Sequence, residues 1–66
     1  MKKIGIVADN YKVDTFKKEF NKAGFEFKTL PFDKDTTSIF IYTTPDKVAQ
    51  INAICIKVEA DFKRKN

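Results

Sequence analysis

The chain has no histidine, no tryptophan, one cysteine (Cys55), one arginine (Arg64), two glycines and two prolines in 66 residues. Each scarcity excludes something. Without histidine there is no imidazole base or metal ligand, so Ser-His-Asp and Cys-His nucleophile systems are ruled out. Zinc fingers and ribbons need Cys/His sets that this chain lacks. A lone cysteine cannot close a disulfide within one chain. No run approaches 18 uncharged apolar residues, and Met1-Lys2-Lys3 is followed by only the short stretch Ile4–Ala8 before Asp9. The reading is therefore no signal peptide, no membrane span and a cytoplasmic setting.

What is present is a small, aromatic, lysine-rich chain. Hydrophobic residues make up 42% and charged residues 33%, which is too apolar for disorder and fits one folded domain over residues 1–66. A chain this short buries only about 60% of the surface exposed when unfolded, so its core is thin. The net charge of +4 is spread along the sequence, and twelve of the thirteen cations are lysine. Planar, bidentate reading of bases favours arginine, which argues for a solvated lysine surface over sequence-specific nucleic-acid recognition. The wealth of Lys, Asn, Ile and Phe suggests an AT-rich coding genome, as phages and mobile elements often have.

Patterning divides the chain into five elements. Lys3–Ala8 alternates as a strand, with Ile4, Ile6 and Ala8 on one face. Asp9–Lys12 reads as a polar turn. Val13, Phe16, Phe20 and Ala23 then fall at helical spacing, with Asp14 in the first turn and Gly24 just past the end. Phe25–Phe32 reads as a second strand whose phase changes, since Phe25 and Phe27 are odd-numbered and Leu30 and Phe32 even. Either a bulge lies near Lys28-Thr29 or the later half turns its apolar side to the other face. Pro31 marks an edge strand. Asp33–Thr36 makes a hairpin, and Thr37–Thr43 is a β-branched and aromatic strand. Thr44, Pro45 and Asp46 start a helix running to about Lys63 and ending in the basic Lys63-Arg64-Lys65.

The order β-α-β-β-α predicts an α+β two-layer sandwich, a three-stranded antiparallel-type sheet with two helices on one face. It is ferredoxin-like in plan but lacks the last strand. The run from Phe16 through Ala23-Gly24 to Phe27, then Thr37–Tyr42, then the helix from Pro45, resembles ACT-like regulatory domains. That resemblance implies a small-ligand site in the first strand-to-helix turn, here Asp9, Asn10 and Tyr11, at a dimer interface. Two departures accompany it: the final strand is missing, and this turn has no glycine.

Three surfaces remain. Strand one, carrying Ile4 and Ile6, is left with a free edge that a second copy could pair. Phe40 and Tyr42 point away from the helices if Ile39 and Ile41 face them, giving an aromatic sheet face with Val7 and Phe32. Ala49, Ala53, Ile56 and Ala60 form a line opposite the core stripe of helix two, suited to helix packing. Asp33 and Asp35 read as solvated turn residues, and Cys55 as a small core hydrophobe. No cofactor, metal or catalytic group is expected. The reading favours a non-catalytic interaction or inhibitor-type module, homodimeric and binding another protein. A single-stranded nucleic-acid binder using the sheet face is the further alternative.

Overall fold

A computed structural model describes residues 2–64, without the Arg64 side chain. Of the basic end, Lys65 lies outside the described residues. The elements are β1 (Lys2–Asp9), α1 (Asn10–Lys22), β2 (Glu26–Pro31), β3 (Thr36–Thr43), a 3₁₀ turn (Pro45–Lys47) and α2 (Val48–Arg64). The architecture is the expected α+β order β-α-β-β-α, with sheet order β1-β3-β2 and both pairings antiparallel. β3, with Ile39 and Ile41 on one face and Phe40 and Tyr42 on the other, is the central strand. β1 and β2 are the two edges.

Register decides which side chains share a face. Ile4 pairs with Ile41, Ile6 with Ile39 and Ala8 with Thr37, while Phe27 pairs with Ile41 and Thr29 with Ile39. These residues face the helices, where Ile39, Ile41, Ile51, Val58 and Phe20 are fully enclosed. The β2–β3 register runs without interruption from Glu26 to Pro31, so no bulge interrupts it. The change of phase is instead a change of face. Leu30 points to the open side of the sheet, and Phe25 belongs to the turn before β2.

The end of α1 shows why Gly24 is there. Its φ of 82° lies in the left-handed region that side chains resist. In that conformation the Gly24 N–H donates to Asn21 O at 3.1 Å and the Phe25 N–H to Phe20 O at 3.0 Å. Those two bonds form a Schellman closure, and the Phe20 and Phe25 rings meet edge to face at 6.2 Å across it. The turn therefore delivers Phe25 into the core.

The start of α1 differs from the expected polar turn. Asn10–Lys12 is already helical, which moves Asp14 out of the first turn. The cause is long-range: Asn10 is held on both its amide atoms by the β2–β3 hairpin, as described below. Asp9 takes the extended N-cap conformation without a side-chain cap bond. Thr44 likewise holds its cap position with no side-chain cap bond. Its hydroxyl instead helps hold the Asp46 carboxyl below the usual range.

The hairpin is organised by one carboxylate. Asp33 Oδ1 accepts from the Asp35 N–H, the Thr36 N–H and the Thr36 hydroxyl, each at 2.8 Å. The Thr36 hydroxyl, followed by the two backbone donors, pulls the Asp33 carboxyl below its ordinary 3.8. A carboxyl lowered on folding adds stability above its unfolded value and loses it as pH falls through the folded value. Stability should thus be flat between pH 5 and 7 and fall below about 4.5, where Glu19 beside Lys57 begins to protonate, with Asp33 and Asp46 adding from about 3.8 down and Asp33→Asn making that limb shallower. Urea melts from pH 2 to 7 measure this. An acid limb unchanged in Asp33→Asn would assign it elsewhere.

Candidate functional surfaces

The candidate ligand residues do not converge on an open site. Asn10 Nδ2 donates to Lys34 O at 3.0 Å, and its Oδ1 accepts from the Thr37 hydroxyl at 2.6 Å. Its backbone N–H donates to Asp35 O at 2.9 Å. Every polar group of Asn10 that could face a ligand is therefore engaged with the hairpin. Asp9 lies 3.6 Å from Lys12 Nζ. Tyr11 turns the other way, its ring meeting Phe62 edge to face at 5.5 Å.

Tyr11 and α2 together border an open groove of about 920 Å³ whose walls include Lys12, Cys55, Ile56, Ala60 and Phe62. The sequence placed Tyr11 and the Ile56–Ala60 line on separate surfaces, and the fold brings them to one. Lys12 is the residue that sequence reasoning missed here. Its ammonium pairs with Glu59 at 2.8 Å and stands 5.6 Å and 5.8 Å from the Tyr11 and Phe62 ring centres. The hydrogen bond to Glu59 raises the Lys12 ammonium above its ordinary value and keeps it charged. A second pair, Lys57 with Glu19 at 2.9 Å, also joins the helices. Cys55 on the groove wall is half-buried, and burial pushes its thiol up, which keeps it protonated and a poor nucleophile at neutral pH. Among the described residues no group of three or more Cys, Asp or Glu is placed to hold a metal ion. No described helix is long and apolar enough to cross a membrane.

The small-residue line behaves as its spacing implies. Ala49, Ala53, Ile56 and Ala60 are all exposed, Ile56 at 70%. Ile4 and Ile6 are half-buried and face the helices, so their side chains serve the core while the β1 backbone forms the edge.

The open side of the sheet gathers several exposed apolar side chains. The register puts Lys3, Gly5 and Val7 of β1, Ser38, Phe40 and Tyr42 of β3, and Glu26, Lys28 and Leu30 of β2 on this face. Phe32 follows at its corner. Val7, Leu30 and Phe32 are 55%, 58% and 65% exposed. Phe40 is centred between Gly5 and Lys28. A methyl at Gly5 would stand 3.3 Å from the Phe40 ring, so the absence of a side chain there lets the ring lie close against the strand. Lys3 Nζ sits 5.0 Å from the centre of the same ring. The result is an aromatic platform with a cation beside it.

Compared with known protein families, curated proteins and solved structures, the chain matches none.

Proposed function

We propose that this chain is a non-catalytic interaction module that binds another protein through the open face of its sheet. The observation carrying this reading is the exposure of Val7, Leu30 and Phe32 around the Phe40 platform. The lysines at its margin define the partner's chemistry. Lys3 and Lys28 flank Phe40, with Glu26 as the acidic member of this face. A fitting partner offers an apolar centre bordered by Asp or Glu. Phe40 and Tyr42 are the natural anchors, because aromatic side chains concentrate interface energy.

Selection of a random-peptide display library on the immobilised protein tests this, with Phe40→Ser/Tyr42→Ser as the counter-target. Peptides enriched on the wild type should combine aromatic or aliphatic residues with nearby carboxylates. They should lose at least tenfold in affinity on the double variant. Leu30→Ser/Phe32→Ser changes the more exposed residues and gives a second test should the first variant fold poorly. Equal binding to wild type and both folded variants would remove the sheet face. Salt-dependent binding of oligo(U), with no peptide selected, would replace the protein reading with single-stranded nucleic-acid binding.

The ACT-like regulatory reading keeps one supporting observation, the groove beside Tyr11. Asn10, committed to the hairpin, is not part of it. A thermal-shift panel of amino acids and nucleotides addresses it, since a ligand at 100 times its Kd stabilises by about 2.7 kcal/mol. No shift across the panel would end that reading.

A further inference from the structure

The β1 edge has a polarity that can be worked out group by group. Asn10 N–H donates to Asp35 O, continuing the β1–β3 register by one step. In an antiparallel ladder a residue that donates across also accepts across, and its neighbours point the opposite way. The even-numbered residues of β1 therefore spend their N–H and C=O groups on β3. Lys3, Gly5 and Val7 aim both of theirs outward along a proline-free edge, and Asp9 its N–H, its C=O being taken up by the first turn of α1. The other edge is shorter and blunted. Phe32 N–H donates to Thr36 O, so even positions of β2 face β3 and Pro31 falls on the outward side, where it offers no N–H.

We infer that a second copy of this chain pairs with β1 antiparallel, about a twofold axis at Ile6, with Lys3 of each copy opposite Asp9 of the other. This register pairs most of the outward groups and matches the side chains at the same time. Lys3 and Asp9 then form a hydrogen-bonded pair of opposite charge at both ends, and Val7 falls opposite Gly5. On the helix side Ile6 meets Ile6 and Ile4 meets Ala8. About six backbone hydrogen bonds close the junction, two from each Gly5–Val7 pair and one from each Lys3–Asp9 pair. Lysine on an edge strand ordinarily discourages pairing, but Asp9 answers it within the same strand. The Asp9 carboxylate stands 3.6 Å from Lys12 Nζ, whose shorter pair, at 2.8 Å, is with Glu59, so Lys3 of the second copy would join a cluster of two cations and two carboxylates.

Burial leaves room for such a strand, as it does at both edges, where Phe27 and Thr29 of β2 are half-buried too. Ile39 and Ile41 on β3 are fully buried, yet their cross-strand partners Ile6 and Ile4, on the same face, are only half-buried. A strand alongside β1 completes that cover. Paired residues share a face, so the junction also joins two open sheet faces into one six-stranded surface with a Phe40 in each half. The pairing uses backbone at the edge and does not depend on what the face binds.

Light scattering after gel filtration, from micromolar to millimolar concentration, tests the register. The wild type should show twice the 7.6 kDa chain mass. Val7→Pro removes an outward N–H and leaves the β3 ladder intact, so it should give the single-chain mass with an unchanged circular dichroism spectrum. N-methylation of Gly5 in synthetic protein removes another outward donor and decides the matter if Val7→Pro misfolds. Lys3→Asp should weaken the dimer at least tenfold, and Lys3→Asp/Asp9→Lys should restore it. A wild type of single-chain mass at 1 mM overturns the inference. So does a dimer that survives both backbone changes, or one lost instead in Ile56→Glu, which would move the contact to α2.

Discussion

Replacing Phe20 with alanine is expected to unfold the protein at 25 °C. Phe20 is fully buried, and its ring lies 6.0–6.2 Å from those of Phe16, Phe25 and Phe27. Truncating such a residue costs about 3–5 kcal/mol, the lost transfer energy plus the cavity left behind. A single core in a chain under about 70 residues rarely supplies more than about 3–5 kcal/mol. The loss therefore takes most or all of what holds the fold. It also breaks the α1 closure, because Phe25 packs on Phe20 where Gly24 turns the chain. Phe40→Ala is the contrast: half-exposed on the open face, Phe40 should cost only about 1 kcal/mol, through lost contact with Gly5. Circular dichroism of the two variants side by side measures the difference. A folded Phe20→Ala with an unfolded Phe40→Ala would mean that the assignment of the two faces is inverted.

The second large effect is at Asn10. Asn10→Ala removes the bonds to Lys34 O and the Thr37 hydroxyl, which hold the start of α1 against the hairpin. At about 0.5–1.5 kcal/mol for each bond, the expected loss is about 1–3 kcal/mol. Asn10→Asp keeps an acceptor for Thr37 and loses the donor to Lys34, so it should fall between the two. Urea denaturation gives the values directly. If Asn10→Ala is as stable as wild type, the junction does not depend on this side chain.

These two residues also show what could and could not be read from sequence. Phe16 and Phe20 announce a buried helix face because their spacing is local. Gly24 announces the end of that helix because only glycine takes its φ without strain. Asn10 reads as a turn residue, since its partners lie in a hairpin 24 positions or more along the chain. Lys12 looks like one more solvated lysine until Glu59, 47 positions away, comes within 2.8 Å. Leu30 was legible only to the point of two alternatives, a bulge or a change of face. The continuous register chooses the second, and that choice adds Leu30 to the open surface. Periodicity thus identified the aromatic face through Phe40 and Tyr42. Its extent, and the ring lying close against Gly5, belong to cross-strand pairing, which local spacing does not encode.

One side of the sheet is spent on a core with few fully enclosed residues. The other side keeps Val7, Phe40, Tyr42, Leu30 and Phe32 without an internal layer to cover them. In this account those residues are held for a partner. Titration calorimetry of folded Phe40→Ser/Tyr42→Ser, using a peptide selected on the wild type, tests that claim most directly. The account predicts an affinity at least tenfold weaker than wild type, in a protein whose far-UV circular dichroism is still that of the native fold. An unchanged affinity in that folded variant would contradict it.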